Sequence, residues 1–118
     1  MSSYRRFVRA KIQRLRVTDK SLRYEGSLEL DAALAEAAGI LAHELVQVVN
    51  VNNGCRFETY IIPAPPGSGA CVLNGAAARL GEVGDELIVM SVVLVEDPVT
   101  TPPAFARVLV DEHNRLRE

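Results

Sequence analysis

The stretch Tyr24-Glu25-Gly26-Ser27 carries a nucleophile directly after a glycine. On its own the pair is a tight turn, since Gly takes unusual backbone angles and Ser favours turns. The same residues have a second capacity. A serine hydroxyl can attack the carbonyl carbon of the preceding residue and move the acyl group from nitrogen to oxygen. Gly26 suits that step, having no Cβ to block the attack and tolerating strained conformations. The tetrahedral intermediate needs hydrogen-bond donors aimed at its oxyanion. Three other stretches accompany the turn: a basic run with Lys11, the sequence Asn53-Gly54-Cys55-Arg56-Phe57-Glu58-Thr59-Tyr60, and Asn74-Gly75-Ala76-Ala77-Ala78.

Other chemistries lack their residues. His43 lies in a loop beside Glu44 and His113 in the charged tail, without metal-ligand spacing. No glycine-rich loop has nucleotide-binding form, no Gly-x-Ser-x-Gly elbow is present, and no lysine sits in a pyridoxal motif. Cys55 and Cys71 make no disulfide framework. The net charge is −2, which draws the chain neither to nucleic acid nor to anionic lipid. Lys and Arg crowd the first 23 residues, and that local excess suits an anionic small molecule as well as a polymer. Three Phe and three Tyr are too few for the interleaved aromatics of a nucleic-acid face. There is no signal-peptide pattern and no apolar run near the ~20 residues of a membrane span, so the expected compartment is the cytoplasm.

The elements that must position these residues are short strands. With 118 residues, 48% of them apolar and 24% charged, one globular domain over 1–118 is expected. Residues 5–18 alternate, but Val8, Ala10 and Ile12 share one parity and Leu15 and Val17 the other, which predicts a bulge or a change of sheet. Arg9, Lys11 and Gln13 then lie opposite Val8, Ala10 and Ile12, with Arg9 expected in solvent. A short strand over 28–30 precedes a helix over 32–38, capped by Asp31 and closed by Gly39. Residues 45–51 are a β-branched strand, 52–54 a hairpin turn and 55–62 the returning strand. On that strand Arg56 and Tyr60 share a face, about 13 Å apart at ~3.4 Å per residue. Residues 63–69 read as a loop, 70–73 as a strand, 76–80 as a short helical piece, 86–96 as a central strand and 105–111 as a last strand, after a Pro-rich break. Many short strands with few helices indicate a small closed β-barrel.

Taken in order, Lys11, YEGS, N-x-x-N-G-x-R-F-x-T-Y and NGAAA resemble the pyruvoyl-dependent L-aspartate 1-decarboxylase family, over about residues 7–97. Each motif alone is weak, whereas the ordered set is specific. The resemblance implies a six-stranded double-psi β-barrel with a few short helices. It also implies self-cleavage between Gly26 and Ser27, giving a β chain 1–26 and an α chain 27–118. After the acyl shift the ester eliminates, leaving dehydroalanine at position 27, and hydrolysis then releases ammonia and leaves a covalent pyruvoyl group. The expected activity is conversion of L-aspartate to β-alanine and CO2 through a Schiff base to that group, within pantothenate and coenzyme A synthesis. A homotetramer with sites between neighbouring subunits is also implied. Whether a maturation factor assists cutting stays open.

The roles follow motif by motif. The resemblance assigns Gly26, Ser27 and Thr59 to self-processing, and proton return to Tyr60, whose phenol starts protonated. It gives the grip on a substrate carboxylate to Arg56, for which a planar fork is suited, and a place beside the pyruvoyl group to Lys11. Thr59, Asn74, Gly75, Ala76 and Ala77 join the substrate contacts, and Tyr24 shapes the site. On spacing alone Thr59 and Tyr60 are ordinary strand residues, Arg56 is a solvated strand charge and Asn74-Gly75 is a capping turn. Two positions depart from the family pattern: Gln13 and Arg79 stand where histidines are common. Two other readings compete, an uncleaved non-enzymatic barrel and a decarboxylase of another acidic amino acid such as glutamate.

Overall fold

Ala10, Ile12, Leu15 and Val17 are all buried, although they change parity along one strand. The reason lies in the backbone of β1 (Tyr4–Arg16). In the computed structural model, which describes residues 1–24 and 26–117, β1 breaks register with its neighbour between Val8 and Ala10 and again between Ile12 and Leu15. At the second break Arg14 has φ +67, so one extra residue is absorbed and Leu15 returns to the interior. The first break sits at Arg9 and spoils the simple alternation there. Arg9 is no solvated edge residue. Its guanidinium donates to the carbonyls of Ala38 and Gly39, at 3.4 and 2.6 Å. Glu25 of the YEGS motif and Glu118 of the tail lie outside the described residues.

The remaining elements are β2 (Asp19–Ser21), β3 (Ser27–Asp31), α1 (Ala32–Ala37), β4 (Leu45–Asn50), β5 (Arg56–Ala64), β6 (Cys71–Asn74), a 3₁₀ turn (Gly75–Leu80), β7 (Glu86–Glu96) and β8 (Ala106–Leu109). The strands pair in the order β2-β6-β3-β5-β4-β7-β1-β8. Strands β1 and β2 stand near opposite ends of that order, yet only Val17 and Thr18 separate them. Val17 N–H donates to the Asp85 carbonyl before β7, and Thr18 N–H to the Cys71 carbonyl on β6. The chain therefore curls the sheet round on itself, which is the small β-barrel the strand pattern indicates. Eight strands form rather than six, because two short ones, β2 and β8, pair in parallel at the edges.

The interior is aliphatic. Ile12, Leu28, Leu30, Val48, Ile61, Leu73, Leu87 and Val89 are fully buried there. At ~25 cal/mol per Å² each such side chain stabilises the fold by about 1.5–3 kcal/mol before entropy is charged against it. Asp31 caps α1 by accepting from Ala33 N–H at 2.9 Å, and also accepts from Gly67 and Gly69 N–H. One buried carboxylate thus fixes the end of β3, the start of α1 and the loop before β6. The expected loop at 63–69 starts later than its prolines suggest, because β5 continues through Pro63, which pairs with Leu30. The charged tail is anchored by Asn114, whose side chain bonds the backbone of Arg16 and Gly69.

Candidate functional site

Ser27 opens β3, a strand paired on both sides. It stands opposite Asn74 on β6, while the next residue, Leu28, is aligned with Leu73 on β6 and Ile61 on β5. Leu28, Leu73 and Ile61 face the core, so Ser27, Asn74 and Tyr60 turn to the other face on three adjacent strands. Ser27 is completely buried all the same, and among the described residues its hydroxyl oxygen has no hydrogen-bond partner. An unmet buried hydroxyl costs about 1–3 kcal/mol. Directly before it, Gly26 is exposed.

The NGAAA segment closes on this turn. Gly75 has φ +62, and a Cβ on it would lie 2.6 Å from the Gly26 Cα, 2.8 Å from the Gly26 nitrogen and 3.1 Å from the Tyr24 carbonyl oxygen. Only glycine meets both the backbone angle and the close approach. Ala77 and Ala78 are buried, whereas Ala76 is exposed. Three residues outside the expected set hold the segment in place. The Lys20 ammonium donates to the Gly81 carbonyl at 3.3 Å and pairs with Glu82 at 2.9 Å. The amides of Asn50 and Asn53 both donate to the Leu80 carbonyl. Asn74 makes no side-chain cap on the 3₁₀ turn; its amide donates to Glu29 instead, at 2.7 Å.

Tyr60 has a neighbour that the sequence did not disclose. The His43 ring stands edge-on to it, with centroids 6.5 Å apart. His43 N–H donates to the Ile61 carbonyl and Ile61 N–H to the Glu44 carbonyl, which seats the turn before β4 against β5. Glu44 is held in its turn by Ser91, Leu41 N–H and Arg9. Thr59 lies on the opposite face from Tyr60, aligned with Val46.

Neither expected cation is a register partner of Ser27. Lys11 is aligned with Met90 on β7, Met90 with Gln47 on β4, and Gln47 with Glu58 on β5, all on the outer face. In the pairing order four steps lead from β1 to β3 one way, while the other way β1 runs on through Val17 and Thr18 into β2, whose partner β6 flanks β3. Arg56 is exposed at the far end of β5, aligned with Val49. Gln13 sits in the second bulge of β1, aligned with Leu109, and Arg79 is exposed on the 3₁₀ turn.

The sequence model of the aspartate decarboxylase family matches residues 3–117. This chain belongs to the aspartate decarboxylase family. It is 49% identical over 115 residues to the aspartate 1-decarboxylase of Anoxybacillus flavithermus, covering 98% of this chain and 91% of that one. It is 50% identical over 105 residues to the aspartate 1-decarboxylase of Kosmotoga olearia, covering 89% of this chain and 91% of that one. Membership therefore spans the barrel and every motif named above, the tail included. No helix of the described residues is long and apolar enough to cross a membrane.

Proposed function

We propose that this chain cuts itself between Gly26 and Ser27 and, once cut, converts L-aspartate to β-alanine and CO2 in the cytoplasm, feeding pantothenate synthesis. The family supports the substrate and the reaction. The observation that carries the self-processing is the Ser27 hydroxyl, fully buried and without a partner among the described residues. Among the described residues no group ties up that hydroxyl, so both lone pairs of its oxygen are available for attack.

Ser27 Oγ attacks the Gly26 carbonyl carbon, and the Gly26–Ser27 C–N bond breaks as the ester forms. Elimination takes the Ser27 α-proton and expels Gly26 as a carboxylate. Water then displaces the nitrogen of residue 27 as ammonia. The products are a chain of residues 1–26 and a chain of 27–118 that begins with a pyruvoyl group. The residues fit that group: Gly75 lies against Gly26 with no side chain to obstruct the cut. Thr59, on the inward face of β5, is the processing residue.

When formed, the pyruvoyl group supplies the sink for the electron pair left by the departing α-carboxylate. The chain's own residues do the rest. Tyr60, on the strand beside Ser27 and on the same face, returns a proton to the substrate Cα. Arg56 and Lys11 hold the two charges of a dicarboxylic substrate. Asn74, Gly75, Ala76 and Ala77 form the wall on the β6 side. The family resemblance favours sites completed by a neighbouring subunit in a homotetramer. Exposed apolar residues on the same sheet, among them Leu45 and Leu94, favour such assembly.

Denaturing intact mass, with and without phenylhydrazine, tests this reading. Two fragments are expected, with the reagent adding only to 27–118, and the cut protein should release β-alanine from L-aspartate. Ser27→Ala should remain one chain and be inactive. A wild-type chain that stays whole after warming would overturn the self-processing, and turnover of L-glutamate in preference to L-aspartate would overturn the substrate.

A further inference from the structure

Asn74 is the residue best placed to satisfy the Ser27 hydroxyl, yet it does not do so. The two are direct antiparallel partners, an arrangement that brings Cβ atoms to about 4.5–5.5 Å. An asparagine amide at that range can reach a neighbouring hydroxyl. Here the Asn74 Nδ2 donates to Glu29 Oε1 at 2.7 Å, and Ser27 Oγ is left without a partner among the described residues. Glu29 lies two residues after Ser27 on β3 and on the same face, so it can reach diagonally across to Asn74. An ionised carboxylate only accepts hydrogen bonds, which fixes the amide with its nitrogen toward Glu29. The bond is charge-assisted and stronger than the neutral amide–hydroxyl bond that competes with it.

We propose that Glu29 is a positioning residue for self-cleavage: it draws the Asn74 amide away from Ser27 and so keeps the hydroxyl free to attack the Gly26 carbonyl. The inference rests on the self-processing reading above. It assigns Glu29 no part in turnover of substrate and no contact with it. An apolar residue at position 29 would release Asn74 to hydrogen-bond Ser27 Oγ. The amide would then occupy one lone pair of Ser27 Oγ and make it a weaker nucleophile.

The test uses the full-length precursor made in a short cell-free pulse, with cutting followed by intact mass. Glu29→Leu should slow cutting about tenfold, because leucine suits a strand but offers no acceptor. Glu29→Val, with the same lack, guards against a packing fault peculiar to leucine, and melting curves of both report folding. Glu29→Gln keeps an acceptor for Asn74 and should cut at close to the wild-type rate. In an Asn74→Ala background the Glu29→Leu effect should vanish, since no amide remains to divert. Wild-type rates in folded Glu29→Leu and Glu29→Val would overturn the proposal, as would slowing by Glu29→Gln equal to that by Glu29→Leu. A Glu29→Leu effect that persists without Asn74 would also overturn it. An uncut wild-type chain would overturn the self-processing reading and this inference together, whereas a cut wild type with unaffected variants would overturn the inference alone.

Discussion

Gly75 lies against Gly26 so closely that a methyl group on Gly75 would sit 2.6 Å from the Gly26 Cα. The two glycines come from motifs 49 positions apart in the sequence, and neither motif alone explains the other. Gly75→Ala should therefore do two things at once. Its φ of +62 costs a residue with a Cβ about 1–2 kcal/mol, and the clash adds to that because backbone is the obstacle. The melting temperature should fall, and the displaced Gly26 should cut more slowly than in wild type. Intact mass read alongside a melting curve checks both effects. A variant that melts lower yet cuts at the wild-type rate would separate the two motifs functionally.

Asp85 provides an acid-side prediction. Its carboxylate accepts from the Asn50 amide and from Glu82 N–H, with the Lys20 charge nearby, and these hold its pKa below the ordinary 3.8 against the opposing effect of burial. A carboxyl depressed in the folded state stabilises the fold above its unfolded pKa, and that contribution disappears as pH falls through the folded value. Asp85→Asn should melt below wild type at pH 7, and the gap should narrow as pH drops below about 4. Asp111, depressed by Arg115 and His113 N–H, keeps its own acid dependence in both proteins. Melting curves from pH 7 to pH 3 at fixed protein concentration make the comparison. A gap that stayed constant across that range would remove Asp85 from the acid response.

The sequence disclosed the barrel better than the site. The strand over 86–96 emerged with its bounds intact because its long β-branched run is ambiguous with nothing else. The slip of parity in β1 was also legible, since Ile12 and Leu15 must both be buried. Arg9 was misread because its bulge breaks the alternation used to place it, and its partners lie 29 and 30 residues away. Glu29 could have been flagged by its parity with Ser27. Its hold on Asn74 could not, because it depends on the β3–β6 register. The edge contact of His43 with Tyr60 left no trace in spacing at all. It is set by a turn with φ +70 at a histidine and by hydrogen bonds to β5.

The two thiols should differ sharply. Burial pushes Cys71 up to about 12, while Cys55 is half-buried beside the hairpin turn. At pH 8 a thiol of that pKa is ionised on the order of one part in ten thousand, and the thiolate is the reactive form. A thiol-specific colorimetric reagent should modify one cysteine per native chain, and two after denaturation. Peptide mapping should place the native label on Cys55. Labelling of Cys71 in the native protein at a comparable rate would mean that the core opens on the timescale of the assay.

The place of Lys11 on β1, a strand that does not pair with β3, leads to the prediction that bears most directly on assembly. Lys11 projects from the outer face of β1, which does not pair with β3. If each site takes its lysine from a neighbouring chain, two inactive variants should rescue one another. Ser27→Ala cannot make the pyruvoyl group but retains Lys11, whereas Lys11→Ala cuts itself but lacks the cation. Each alone should lose at least 100-fold in β-alanine formation, in line with loss of a desolvated charge contact to substrate. Co-expressed so that they assemble together, they should regain a definite fraction of wild-type activity, because some sites then pair an intact Ser27 with an intact Lys11. A mixture no more active than its parts would instead put Lys11 and Ser27 of one chain in the same site.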